Sequence, residues 1–135
     1  MIMATNKSGI YAANGMLQFL GIGDTINFGN VVRKYGCGIN MSGGNVVTHN
    51  KGYYNIATNI TITPSAAGTL GITLYKNGVE IPGANITRTV SADTIYAFDI
   101  VAMIRDICCC ETTIAAVISG VASTVSNAAI EVFSL

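Results

Sequence analysis

The sequence predicts an all-β protein, a jelly-roll β-sandwich of about ten strands, and three observations carry that prediction. Ile and Val together number 29 against five Leu, and Thr adds 14. β-Branched side chains suit a pleated, half-buried surface and lose rotamer freedom on a helix. The residues that wet the outer face of a helix are scarce, with three Glu, one Gln and four Lys. Turn formers are abundant, with 15 Gly and 12 Asn, residue types that tolerate positive φ.

In chain order, Gly9 to Ala12, Met16 to Leu20 and Thr25 to Val32 read as short strands. The Gly21-Ile22-Gly23 stretch before Asp24 reads as a turn, not as part of a nucleotide-binding loop. Asn45 to His49 is the next strand. From Gly52 to Pro64 the period is two. Tyr54, Ile56, Thr58, Ile60 and Ile62 share one face, while Tyr53, Asn55, Ala57, Asn59, Thr61 and Thr63 share the other. Leu70, Ile72 and Leu74 oppose Thr69, Thr73 and Tyr75 in the following strand. That strand ends at Asn77-Gly78, which predicts a type I′ hairpin turn because both central residues need positive φ. The return from Val79 to Ile81 is expected to break or bulge at Pro82-Gly83 and to resume from Ile86 to Val90. Thr94 to Ile104 is apolar on both faces except at Asp99. Thr113 to Ser119 is similar, and Ala128 to Leu135 is the last strand.

At 135 residues the chain is one domain, with residues 1–8 as a flexible or attachment segment. Seven Lys and Arg balance seven Asp and Glu, and only 10% of residues are charged, against roughly 25% in an ordinary globular protein. A neutral chain without a basic face argues against a nucleic-acid partner. No apolar run reaches about 18 residues, so no membrane insertion is expected, and the first residues do not have the pattern of a secretory signal. So little charge is poor cover for an isolated subunit. Strands apolar on both faces need a core on one side and a partner on the other, which predicts a symmetric homo-oligomer.

Several segments resemble one group of proteins. They are Asp24-Thr-Ile-Asn-Phe28, Gly52-Tyr-Tyr-Asn-Ile56, Leu74-Tyr-Lys-Asn-Gly-Val-Glu-Ile-Pro-Gly-Ala84 and the closing Ala129-Ile-Glu-Val-Phe-Ser-Leu135. Their order resembles the trimeric jelly rolls of the tumour-necrosis-factor and complement-head type, and among them the heads of bacterial exosporium glycoproteins. Small proteins of phages of gut Firmicutes are similar at Val32-Arg-Lys-Tyr-Gly-Cys-Gly-Ile-Asn-Met-Ser-Gly-Gly-Asn45, at Ile104-Arg-x-x-Cys108-Cys109-Cys110 and at Ile118-Ser-Gly-Val-Ala-Ser-Thr-Val-Ser-Asn127. The resemblance implies a homotrimer about a threefold axis with the final strands near it. Tyr96, Phe98, Ile100, Ile114, Ile118 and Phe133 are the expected interface residues. There is no collagen-like stalk, which weighs against a spore-surface filament. The resemblance therefore implies a virion structural protein made in the bacterial cytoplasm: a capsid decoration, head fibre or tail-associated tip whose partners are its own copies and other virion proteins. The alternatives are a host-attachment head that binds a cell-surface glycan or receptor, and a bacterial spore or cell-surface head domain. The absence of Trp weighs against sugar stacking.

The chemistry-bearing residues give no enzyme, cofactor or metal signature. There is no P-loop, nucleophile elbow or Ser-His-Asp order. Cys108, Cys109 and Cys110 match no zinc-ligand spacing. Small reduced thiols at a strand end are the default reading. A disulfide from Cys37 to one of the three, or a metal clasp repeated about a threefold axis, are the alternatives. His49, the sole histidine, reads as a solvated strand-end residue. Asp106 and Glu111 flank the cysteines and read as solvated carboxylates, with a Ca²⁺ rim as the alternative. Asp99, inside an apolar strand, is expected to form an ion pair with Arg88 or Arg105 in the core or at an interface, since burying an unpaired carboxylate is unfavourable by several kcal/mol.

Overall fold

The computed structural model describes residues 7–107 and 111–135. Among them are eleven strands and no helix: β1 Gly9–Asn14, β2 Gln18–Leu20, β3 Asn30–Tyr35, β4 Ile39–Ser42, β5 Asn45–Thr48, β6 Gly52–Pro64, β7 Gly68–Lys76, β8 Val79–Val90, β9 Tyr96–Asp106, β10 Thr112–Ser119 and β11 Ser123–Ser134. The strands form two antiparallel sheets. One runs β3-β1-β11-β6-β9, with β2 pairing β11 beyond the end of β1; the other runs β4-β5-β10-β7-β8.

Alternation builds the interior as the sequence predicts. Tyr54, Ile56, Thr58, Ile60 and Ile62 of β6 all point inward, as do Leu70, Ile72 and Leu74 of β7. They meet Ile114, Ala116 and Ile118 of β10 and Ala128, Ile130 and Val132 of β11 in one continuous core. Each fully buried isoleucine there contributes roughly 1.5–3 kcal/mol of transfer free energy.

The structure differs from the sequence reading at three places. Thr25 to Phe28 is not a strand: Thr25 makes one isolated bridge to Val117, and β3 starts at Asn30. Ile26 and Phe28 are nevertheless fully buried. The segment lies along β10, with the Gly23 and Ile26 amides donating to the Ile118 and Ala116 carbonyls. A short hairpin, β4 to β5, turns at Gly43-Gly44, both at positive φ. As the sequence reading expects, strand β8 bulges at Pro82-Gly83, opposite Leu74, where the register shifts. An edge strand tolerates this because Pro there removes no interior ladder bond. Strand β11 begins at Ser123, and a bulge between Val125 and Asn127 joins its two halves. The Asn77-Gly78 turn forms as predicted, with φ of 50° and 79°.

Ser8 and Ser134 meet at one pole of the sandwich. The Ser8 amide donates to Ser134 Oγ at 2.8 Å, and the Ser134 amide donates to the Ser8 carbonyl at 2.8 Å.

At this pole Tyr54 is buried, and its hydroxyl donates to the Asn50 carbonyl at 2.7 Å. Burial pushes its phenol above the ordinary 10.0, opposed by that hydrogen bond and reinforced by the carboxylate of Asp106. A raised phenol favours the folded state below the unfolded value and stops doing so as pH climbs through the folded one. Stability is therefore expected to fall above about pH 10. Tyr54→Phe should flatten that alkaline limb in denaturant titrations while lowering stability at pH 7 by about 1 kcal/mol for the lost hydrogen bond.

Candidate assembly face

The outward face of the β3-β1-β11-β6-β9 sheet is the unusual surface of the molecule. Its residues align across the strands in register. One row reads Tyr35, Gly9, Phe133, Asn55, Met103 from β3 to β9. The next reads Arg33, Tyr11, Glu131, Ala57, Val101, and a third reads Ala13, Ala129, Asn59, Asp99 on β1, β11, β6 and β9. Val101 is 68% exposed, Met103 57% and Tyr35 57%. Tyr11 and Tyr53 are also exposed, and Phe133 is half-buried. Exposed Tyr11, Tyr35, Val101 and Met103 thus gather on one face, among Arg33, Glu131, Asn55, Asn59 and Asp99, and large apolar side chains grouped in this way mark a surface for a partner.

Local sequence shapes this face. Gly9 has no side chain, and Tyr35 lies directly across it, so a Cβ at that position would overlap the phenol ring. Tyr11, Tyr35, Arg33, Glu131 and Phe133 then wall a depression of about 340 Å³. A second hollow of about 330 Å³ lies over the small side chains of Ala57 and Ala129, and it shares Tyr11 and Glu131 with the first.

The residues expected at an interface are placed differently. Phe98, Ile100, Ile114 and Ile118 are between 0% and 2% exposed and point into the sandwich. Tyr96 packs against the same core, and its phenol oxygen accepts the Ser91 amide. Their phase along β9 and β10 is the inward one, so those five side chains are core rather than surface. Phe133 alone of the six stands on the outward face. The outward phase of β9 is instead Ala97, Asp99, Val101, Met103 and Arg105.

Asp99 is correspondingly exposed, not buried, and it accepts a hydrogen bond from Asn59 Nδ2. The expected ion pair does not form. Arg88 stacks over the Phe98 ring, 5.2 Å from its centroid, and donates weakly to the Ala97 carbonyl at 3.4 Å. Arg105 stacks over Tyr53 at 5.7 Å. The buried carboxylate is Asp106, at 4% exposure. Its two oxygens accept from Thr48 Oγ1 at 2.9 Å and Thr112 Oγ1 at 2.7 Å, so hydroxyls satisfy it where the sequence reading placed solvent or a cation. Glu111 is exposed and reaches His49 Nδ1 at 3.9 Å. His49 is half-buried at the end of β5, with Nε2 3.0 Å from Asn40 Nδ2. Cys37 is exposed, while Cys108, Cys109 and Cys110 lie outside the described residues. Among the described residues no group of three or more His, Cys, Asp or Glu is placed to hold a metal ion, and no helix is long and apolar enough to cross a membrane.

No protein-family model matches the chain, and no curated protein matches it in sequence. Solved structures do match. Murine APRIL superposes with a TM-score of 0.74 over 96% of this chain and 99% of that one, at 13% identity. The globular domain of zebrafish complement 1qA protein gives 0.69 over 96% and 97%, at 8% identity. The fold is the tumour-necrosis-factor-like jelly roll. Vertex protein P5 of the phage PRD1 shares this jelly roll, with a TM-score of 0.58 over 95% of this chain and 73% of that chain, at 8% identity. The resemblance read from the sequence is therefore sound at the level of fold. Within this jelly roll, sequence reasoning located the apolar strands but missed Tyr11, Arg33, Tyr35, Val101, Met103 and Glu131 as the residues that shape its open face.

Proposed function

We propose that this protein is a non-enzymatic homotrimeric module of a phage particle. It would serve as a capsid decoration, head fibre or tail-associated tip that contacts its own copies and other virion proteins. The observation that carries this reading is the outward face of the β3-β1-β11-β6-β9 sheet. It carries exposed Tyr11, Tyr35, Val101 and Met103 beside two hollows in one subunit, in a jelly roll that a phage vertex protein also adopts. Burying such a face against copies of itself removes the exposed apolar patch, and closed cyclic symmetry leaves no copy of the face unpaired. The scarcity of charge supports the same reading, because assembly reduces the surface that charge must keep wetted.

Size-exclusion chromatography with light scattering is expected to give three times the 14.0 kDa subunit mass at micromolar concentration. A stable 14.0 kDa species there would overturn the assembly. Mass spectrometry of gradient-purified phage particles from cells expressing the gene is expected to detect the protein. Its absence from those particles would overturn the virion assignment.

A further inference from the structure

One cluster of reactive side chains lies away from the assembly face, between the outer strands of the two sheets. Strand β3 ends one sheet and β4 ends the other. We propose that Lys34 on β3 and Asn40 on β4 form an intramolecular isopeptide bond with release of ammonia, and that His49 carries the proton. This modification goes beyond the assembly role proposed above and does not depend on it.

The register brings the reacting groups together. Lys34 pairs with buried Ile10, so it takes the inward phase of an edge strand and reaches toward the other sheet. Arg33 and Tyr35, its neighbours on β3, take the opposite phase. Asn40 lies opposite Val47, and His49 follows two residues later as a diagonal neighbour on the same side of the hairpin. Asn40 Oδ1 accepts a hydrogen bond from Lys34 Nζ. A lysine only donates, so this contact sets the orientation of the amide. Asn40 Nδ2 then faces His49 Nε2, at 3.0 Å, and donates to it. That makes Nε2 the unprotonated ring nitrogen and leaves the Nδ1 hydrogen on the side of Glu111, whose carboxylate is 3.9 Å away. An inward lysine on an edge strand can serve simply to prevent pairing with another chain. Here it is docked on a side-chain carbonyl whose leaving nitrogen rests on a histidine, which are the parts of an acyl transfer.

Lysine attacks as the free amine, a small fraction at neutral pH. Lys34 is exposed, and among the described residues the one salt bridge joins His49 to Glu111, so no carboxylate there holds Lys34 in its charged form. The neutral Nζ adds its lone pair to Cγ of Asn40, and the carbonyl pair moves to Oδ1. Nζ and Nδ2 are then bonded to one carbon, beside His49. Nε2 takes a proton from Nζ and returns it to Nδ2. The pair on Oδ1 re-forms the carbonyl, the Cγ–Nδ2 bond breaks with its electrons on nitrogen, and ammonia leaves. One amide replaces another without any change of oxidation state. Holding the amine against the carbonyl acts as a high local concentration of nucleophile, so the reaction is slow at neutral pH and faster in alkali. The product ties the two sheets covalently at this edge of the sandwich.

Intact-mass spectrometry tests the bond on the whole folded chain, with its cysteines kept reduced. Incubated at about pH 9, where lysine presents more free amine, the parent is expected to lose the mass of one ammonia. Tryptic mapping should place that loss in a peptide of residues 34–51, uncleaved after Lys34 and yielding no fragment ions from within residues 34–40. Lys34→Arg and Asn40→Ala should keep their full mass. His49→Gln should convert roughly a hundredfold more slowly, and the parent unfolded in urea should not convert. A folded parent that keeps its mass would overturn the bond, whether or not the variants fold. So would a loss that persists in Lys34→Arg, or one that maps to Asn14-Gly15 or Asn77-Gly78, where a succinimide also releases ammonia. Conversion of His49→Gln at the parent's rate would overturn the proton transfer by His49. Equal conversion in urea would overturn the part assigned to the fold.

Discussion

Ala57→Glu is expected to release folded monomers. Ala57 sits on β6 between Glu131 of β11 and Val101 of β9 in the outward row, and it lines the second hollow. A carboxylate there is desolvated when the face is covered and has no cation beside it. It also stands directly across from Glu131, and like charges in opposed strand positions repel. An uncompensated charge in a buried interface is unfavourable by about 3–5 kcal/mol, which corresponds to roughly a hundred- to a thousand-fold weaker association or more. In the isolated subunit the new side chain reaches water, so the thermal transition should shift by only a few degrees. Light scattering should report one subunit mass, and circular dichroism should report an unchanged β spectrum. Retention of the trimer by this variant would show that the face lies outside the interface. Ala57→Ser, which adds no charge and little volume, should assemble normally.

Gly120→Ala should produce the largest loss of stability from a single methyl group. Gly120 links β10 to β11 at φ +84°, and a Cβ there would overlap the Thr69 carbonyl oxygen of β7. Two penalties add. The left-handed conformation disfavours any residue with a Cβ by about 1–2 kcal/mol. The clash is with backbone rather than with a movable side chain, so the turn or β7 must shift, which is unfavourable by about 1–3 kcal/mol more. The expected loss is about 2–5 kcal/mol, a drop of roughly 10–20 °C in Tm for a domain of this size. Gly15→Ala is the matching control. Nothing lies within 4 Å of its added Cβ, and its φ is not positive, so Tm should hold or rise slightly. Equal melting of the two variants would remove Gly120 as a packing constraint.

The class of fold was legible because alternation and β-branching are local properties of the chain. Strand β6 alternates over its whole length, and the structure follows it residue by residue. What escaped were features decided by tertiary contacts. Ile26 and Phe28 look like strand residues, yet they are core residues of an irregular segment that bonds to β10. The hairpin at Gly43-Gly44 escaped because its strands are four residues each, too short for alternation to show.

The candidate assembly face was half legible. Strand β9 is apolar in both phases, so hydrophobicity alone could not tell core from surface, and the aromatic phase was assigned to the interface. The deciding signal was present in the charges. Asp99 and Arg105 share the phase of Val101 and Met103, just as Glu131 shares that of Phe133. An ionic residue within a strand marks the side that reaches water before assembly. Asp106 breaks that marker. It falls in the inward phase at the end of β9, where only the tertiary approach of Thr48 and Thr112 makes a buried carboxylate acceptable.

The joining of Ser8 to Ser134 gives the molecule a handle and a display end. Ser8 and Ser134 lie at one pole, while the connections around residues 21–24, 65–67, 91–95 and 120–122 cluster at the other. In the proposed trimer, built as a ring of parallel subunits, three such handles would point the same way. A cargo joined next to Ser8 or Ser134 would therefore sit on the same side of that ring, leaving the distal loops unobstructed.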